Sequence, residues 1–318
     1  MIMQEPLFDV ISPGIHTTVQ DMGRFGYQHV GISTSGAMDI KSAAWANRLL
    51  DNAIQTPLLE IMLGGLTLQA RVPLWIALTG AELSAEVDGT PIEGWTRIAL
   101  RPGQQLSIGY ARAGQWGYLA VNGGFALSSV LGSHSTQQRE GLGGMDGHGS
   151  ALARHDVLHG YRERPELTLK AQTPRAFRDD LEDPCASLRL MQGPDYRRFT
   201  SDDALRLLST PWHVSALSNR MGYRLEGAQL SGPPTRQWSI GVLPGAIQIV
   251  PEGTPIVLMS DCQTMGGYPV FGWLHPLDRG RLAQRRAHQQ IRFTLSTLDE
   301  VQQSLKHAAA FFGNTPLR

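Results

Sequence analysis

Leu83 to Ile92 reads LSAEVDGTPI. Its first half alternates apolar and polar side chains, the period of a strand with one buried face. The run then meets Asp88-Gly89 and turns into a second short run. A two-residue hairpin loop takes a type I′ turn, which holds both central residues at positive φ, where Asp and Gly are least strained. The segment therefore predicts a hairpin in an antiparallel sheet. The same style recurs around it in LTLQA (66–70), LWIALTG (74–80), QQLSIGY (104–110) and GYLAVNGG (117–124). The second half repeats it in SLRLMQG (187–193), YRLEGAQL (223–230), GAIQIVP (245–251) and IVLMSD (256–261). Many short strands at close spacing predict a mainly β protein built of barrels or sandwiches.

Helical periods are few. AMDIKSAAWANRLLD (37–51) and Asp202 to Leu208 read as helices. Thr297 to Phe312 is the clearest: Thr297 and Glu300 form a capping box, Val301, Leu305 and Phe312 form a stripe, and Gly313 stops it. A chain of 318 residues suits two domains. RERPELTLKAQTPRAFRDDLED (162–183) is charged, holds two prolines and lacks a period, so it reads as a linker. The expected division is a first domain over 1–165, a linker over 166–184 and a second domain over 185–318. TVQDMGRFGY near the start is echoed by DCQTMGGYPV (261–270), a short hint of two related halves.

Composition excludes several classes. Lys plus Arg number 28 and Asp plus Glu number 28, so no basic excess speaks for a nucleic-acid partner. No run approaches the length of a membrane span, and MIMQEPLFDV lacks the pattern of a signal peptide. Cys185 and Cys262 stand far apart, which fits a reducing, cytoplasmic setting without structural zinc. No G-x-x-x-x-G-K-[ST] or G-x-S-x-G occurs, and the only lysines are Lys41, Lys170 and Lys306. His148, His155 and His159 lack a carboxylate partner and read as loop histidines rather than metal ligands.

Two glycine-rich clusters carry the polar chemistry. The first holds Gln20, Asp21 and Arg24, followed by GISTSGAMD (31–39) and Asn47. The second, DCQTMGGYP (261–269), holds Asp261, Gln263, Thr264 and Tyr268. Amide side chains offer donor and acceptor together, arginine can pin a carboxylate, and a buried aspartate can move a proton. The same residues also suit plainer roles. Asp21 and Arg24 could form a structural salt bridge, Gln263 and Thr264 a turn hydrogen bond, Asp39 a partner of the helix dipole, and Asn47 a tertiary hydrogen bond.

Ordered motifs then decide the resemblance: GIHTTVQDMGRFGYQHVGISTSGAMD (14–39), LLEIMLGGL (58–66), LAVNGGF (119–125), LGSHST (131–136), SNRMGYRLEG (218–227) and LPGAIQIVPEGTPIVLMSDCQTMGGYP (243–269). From about residue 9 to residue 295 the chain resembles the allophanate hydrolase subunit 2 family, also described as KipA-like or biotin-dependent carboxyltransferase-like. His134 stands where this family commonly has Arg, and 143–158 also departs from its pattern. The resemblance implies two cyclophilin-like β-barrel domains with a few short helices and a C-terminal helix.

For the 5-oxoprolinase branch the resemblance implies an ATP-dependent complex that opens 5-oxo-L-proline to L-glutamate. Subunits A and B are the partners, B being similar to allophanate hydrolase subunit 1, and the enzyme is active only as the complex. ATP is then expected elsewhere in the complex rather than on this chain alone. The expected catalytic residues are Asp21 and Asp261. Arg24 is expected to hold the substrate carboxylate, and Gln20, Asn47, Gln263, Thr264 and Tyr268 the amide, in a cleft shared with the sister subunit. Two other readings stand beside this. One is a component moving carboxyl from carboxybiotin to a urea-like amide, with biotin as cofactor. The other is a non-catalytic regulator of the sister subunit.

Overall fold

The computed structural model describes residues 3–161, 167, 171–231 and 234–313. The chain divides into two units, Met1–Arg24 with Asp39–Leu181 and Phe25–Met38 with Glu182–Arg318. The strip Phe25–Met38 thus belongs with the second unit, a crossing that an uninterrupted first domain over 1–165 does not include.

The first unit is built of two antiparallel sheets. The six-stranded sheet runs Val157–Tyr161, Gln4–Pro13, Leu66–Ala70, Gln105–Ala111, Leu83–Val87, Thr90–Ile92. The five-stranded sheet runs His16–Gln20, Leu58–Met62, Trp116–Val121, Leu74–Gly80, Arg97–Leu100. Their inner faces meet in one core. Val10, Leu66, Leu68, Leu106 and Ile108 from the first sheet cluster with Val19, Leu59, Ile61, Ile76, Leu119 and Val121 from the second. Each such side chain contributes about 2 kcal/mol by leaving water. The expected hairpin is present: Val87 pairs with Thr90, and φ is +49° at Asp88 and +77° at Gly89.

Helix α1 (Ile40–Leu49) packs on the outer face of Leu74–Gly80 and Trp116–Val121. That cover explains why Trp116–Val121 is buried along its whole length rather than alternating. The helix starts at Ile40 because Asp39 caps it, accepting from Ser42 N–H at 3.1 Å and Ser42 Oγ at 2.6 Å.

Part of the expected linker has its own place. Residues 166 and 168–170 lie outside the described residues. Residues 171–181 are bonded to the first unit: Arg97 N–H donates to Ala171 O, Lys41 pairs with Asp179 at 2.8 Å, and Phe177 meets Trp45 with ring centroids 5.5 Å apart.

The second unit is a closed barrel. Its strands follow the order Cys185–Gln192, Val270–Leu274, Ala246–Ile249, Pro255–Leu258, Gly222–Glu226, Trp212–Val214, Gln290–Leu295. Closure is made by a parallel pairing of Cys185–Gln192 with Gln290–Leu295. The protein is mainly β, as the sequence predicts. Closure into one continuous barrel belongs to the second unit, while the first encloses its core between two sheets.

Among the described residues, three α-helices dress the barrel unit: α2 (Ser201–Ser209), α3 (Pro276–Ala283) and α4 (Leu298–Phe311). α4 carries the expected capping box of Thr297 and Glu300. α3 is not legible from periodicity, because Asp278, Arg279, Gly280 and Arg281 interrupt any apolar stripe. Its start is marked by His275, which caps Leu277, and by Pro276 in the first turn.

His275 joins two of these helices. Its Nδ1 accepts from Leu277 N–H at 3.1 Å, so Nε2 carries the proton toward Ser304 Oγ of α4, 2.6 Å away. Burial and the Arg189 guanidinium lower its pKa below the ordinary imidazole value, against the pull of Asp278. A base whose folded pKa is depressed holds its proton more tightly in the unfolded chain. Its contribution to stability is complete above about pH 6.5 and is lost as pH falls toward the folded value. The denaturant midpoint should therefore drop between about pH 7 and about pH 5, and His275→Asn, which can still cap α3, should flatten part of that drop. Superimposable pH profiles for the two proteins would contradict this role.

Candidate functional site

In the first unit, strand His16–Gln20 delivers Asp21 into a buried loop. Asp21 Oδ1 accepts from Gly23 N–H at 2.8 Å, Ser133 Oγ at 2.7 Å and Ser135 Oγ at 2.5 Å. Oδ2 accepts from His134 N–H at 2.6 Å and lies 3.4 Å from His134 Nδ1. Burial works to raise the carboxyl pKa, but the bonds from His134, Ser135 and Ser133 outweigh it and hold it at about 2. Asp21 is therefore a fixed anion at neutral pH.

Arg24 is fully buried. Its Nε donates to Val130 O at 2.9 Å and an Nη to Ser135 O at 3.0 Å. Those bonds bind the two ends of the Val130–Ser135 loop, so in this structure the guanidinium organises backbone. Gly144 N–H donates to His134 O, and Gly143, at φ +66°, lies so close that a Cβ there would overlap the Ser135 carbonyl. Gln20 gives its amide N–H groups to Thr18 Oγ1 and Thr136 O, at 3.1 and 3.3 Å, while its Oε1 is buried with no hydrogen-bond partner among the described residues.

Asn47 has the tertiary role that sequence reasoning left open. Its Nδ2 donates to Ile54 O and Thr56 O, and its Oδ1 accepts from Asn52, so it fastens the turn after α1. Beneath α1 lies a polar pair that the sequence did not single out. Tyr118 Oη donates to Glu60 at 2.9 Å and accepts from Asp39 N–H at 2.7 Å. Burial, with Glu60 and Asp39 adding to it, raises the Tyr118 pKa well above its ordinary value, so the phenol stays protonated.

In the second unit, Asp261 is gripped on both oxygens by Arg220, at 2.7 Å from Nε and 2.9 Å from an Nη. Ser35 Oγ donates to Asp261 Oδ1 at 2.8 Å, Arg220 also donates to Gly36 O, and Ser260 Oγ donates to Ala37 O. The strip Phe25–Met38 is thus latched to the turn that opens the second glycine-rich loop. Ser35 adopts φ +56°, an uncommon conformation for a residue with a side chain. Arg220 and Ser35 lay inside quoted motifs, but only the fold shows that they meet Asp261.

The rest of that loop is open for chemistry. Met265–Gly266 pairs with Ile240–Gly241 as a short ribbon, and Val242 N–H donates to Thr264 O. Gln263 is half-buried, Thr264 is buried, and Tyr268 is 44% exposed. The side chains of Gln263 and Thr264 make no hydrogen bond among the described residues, so their polar groups remain available to a small polar ligand. The eight expected site residues divide between the units. Gln20, Asp21, Arg24 and Asn47 belong to the first, and Asp261, Gln263, Thr264 and Tyr268 to the second. No group of three or more His, Cys, Asp or Glu suited to a metal occurs among the described residues. None of the described helices is long and apolar enough to cross a membrane.

The first unit is a pair of sheets and the second a closed barrel, and each carries a loop built around a carboxylate. The family described as carboxyltransferase domain, subdomain A and B, matches residues 30–295, and the chain belongs to it. It is 36% identical over 309 residues to the C subunit of 5-oxoprolinase from Escherichia coli (strain K12), covering 96% of each chain. It is 34% identical over 295 residues to the 5-oxoprolinase C subunit of Haemophilus influenzae, covering 92% of this chain and 93% of that one. The crystal structure of the Kluyveromyces lactis urea carboxylase superposes with a TM-score of 0.88 at 26% identity, over 98% of this chain but 29% of that one.

The framework role of Arg24 has a direct test. Arg24→Ala would leave the buried Ser135 carbonyl and the part-buried Val130 carbonyl without their charged donor and should lower unfolding free energy by about 3 kcal/mol. Denaturant melts of the two proteins measure it, and a change below about 0.5 kcal/mol would assign the side chain elsewhere.

Proposed function

We propose that this chain is one subunit of an ATP-dependent 5-oxoprolinase complex that opens 5-oxo-L-proline to L-glutamate. The observation that carries the reading is coverage: likeness to the Escherichia coli 5-oxoprolinase C subunit extends over 96% of both chains, whereas the urea carboxylase aligns over 29% of its length. The barrel loop supplies fitting chemistry. The Gln263 amide offers a donor and an acceptor to the N–H and C=O of a lactam, with the Thr264 hydroxyl and Tyr268 beside it in the same loop. Asp261 is the acidic group of that loop, its carboxylate oriented by Arg220 and Ser35. Gln20, Asp21, Arg24 and Asn47 shape the first unit's loops.

ATP is assigned to the partner subunits, 5-oxoprolinase A and B. This chain has no Walker-type loop, and Lys41 is held by Asp179. A second reading is favoured by the family description and by the urea carboxylase likeness: carboxyl transfer from carboxybiotin to a urea-like amide.

The test is reconstitution. The chain is co-purified with its neighbouring subunits, and glutamate is measured from 5-oxoproline with each component omitted in turn. ATP-dependent glutamate that disappears without this chain is the expected result. A well-assembled complex that releases none, yet turns over carboxybiotin with urea, would replace the first reading by the second.

A further inference from the structure

The ribbon of Ile240–Gly241 and Met265–Gly266 is seated on the barrel. Ile240 and Val242 cluster there with Ala246, Leu258, Cys262 and Val270. A polar side chain lies beside this apolar seat: Gln248 of strand Ala246–Ile249, only 2% exposed. Its Nε2 donates to Tyr268 O at 3.5 Å, while its Oε1 accepts from nothing among the described residues. An acceptor buried in this way calls for a donor, because leaving it bare costs the lost hydrogen bond. Gly266 keeps the amide uncovered, since a Cβ there would stand 2.5 Å from Gln248 Nε2. Ile240 pairs with Gly266, and Val242 N–H donates to Thr264 O. The same antiparallel register carried outward sets Trp238 across from Tyr268. Both rings are open to solvent, Trp238 at 73% and Tyr268 at 44%. Gln248, Thr264, Gly266 and the two rings all belong to the second unit.

We propose that Gln248 and the Trp238–Tyr268 ring pair form the recognition site for a planar cyclic amide, with Gln248 Oε1 accepting the ring N–H. The proposal deepens the lactam reading above and rests on it. With the N–H held by Gln248, the Gln263 amide and the Thr264 hydroxyl remain to donate to the lactam carbonyl. Exposed rings beside a buried amide suit a flat five-membered ligand, because small-molecule sites join aromatic walls to a few fixed polar groups. The arrangement also sets specificity. A ligand methylated on the ring nitrogen cannot donate, and its binding would leave Oε1 buried and unanswered.

The experiment combines kinetics of the assembled complex with tryptophan fluorescence of the full-length isolated chain. Gln248→Met keeps the length of the side chain and removes the acceptor, and circular dichroism checks that it folds. In the complex it should raise KM for 5-oxo-L-proline about thirtyfold with little change in kcat. An unchanged KM in the folded variant would overturn the proposal. A second arm needs no variant: the N-methyl derivative of 5-oxo-L-proline should compete at least about tenfold more weakly than the substrate binds. Competition as strong as the substrate's own binding would refute the Gln248 contact. Trp238→Ala should raise KM as well. If it keeps its KM but no longer co-purifies with the neighbouring subunits, the rings are a subunit contact and the site is refuted. If the wild-type complex releases no glutamate, the lactam-opening reading fails, and the isolated chain decides the site. Saturable quenching by 5-oxo-L-proline or by imidazolidinone, a cyclic urea, that disappears in Trp238→Ala and weakens in Gln248→Met supports it. Emission indifferent to both compounds refutes it.

Discussion

A carboxylate taken out of water has to be surrounded by donors, and in the first unit Asp21 meets that requirement by gathering a remote loop. Its two oxygens receive Gly23 N–H from its own turn and three donors from Ser133, His134 and Ser135. Left bare, such a charge would cost several kcal/mol. Satisfied, it ties the end of strand His16–Gln20 to residues more than a hundred positions away, |i−j| being 112 to Ser133. Arg24 closes the same loop from its other side through Val130 O and Ser135 O. Gly143 is then forced, because a Cβ there would overlap the Ser135 carbonyl of that loop, while one at Gly144 would crowd the Ser150 carbonyl.

The second unit solves a similar problem with an opposite charge. Asp261 is answered by Arg220 in a two-point grip, a geometry in which direction as well as energy is fixed. The surplus capacity of that pair, through Ser35 and Gly36, fastens the strip Phe25–Met38 to the barrel unit. One network is therefore saturated by neutral donors and the imidazole, the other by a guanidinium. Beside the second, the side chains of Gln263 and Thr264 make no hydrogen bond among the described residues.

Local patterns made strands such as Leu66–Ala70, Leu74–Gly80 and Ala246–Ile249 legible, with α1, α2 and α4, because caps, turns and apolar periods act within a few residues, whereas Gln4–Pro13, Leu58–Met62 and Gln290–Leu295 were not read as strands. Asp88-Gly89 and the Thr297–Glu300 box are cases where one short stretch dictates its own geometry. α3 escaped because its residues are polar and its start depends on His275. The route of Phe25–Met38 was hidden as well, since it is set by contacts with residues beyond 219. The polar residues of the site were recognisable as clusters, but their partners were not. Asp21 and Arg24 invite pairing by spacing, yet the bonds described for Arg24 run to backbone carbonyls and those for Asp21 to a serine–histidine loop. Asn47 similarly looked like a ligand group and serves the turn after α1.

The most direct measurement is backbone amide hydrogen exchange over Val130–Thr136 in the wild-type chain and in Asp21→Asn. If the buried carboxylate holds this loop, exchange there should quicken at least tenfold in the variant, about 1.4 kcal/mol of lost protection, while the barrel strands stay protected. Unchanged protection at Ser133, His134 and Ser135 would contradict the account, because the loop would then stand without the charge that is said to build it.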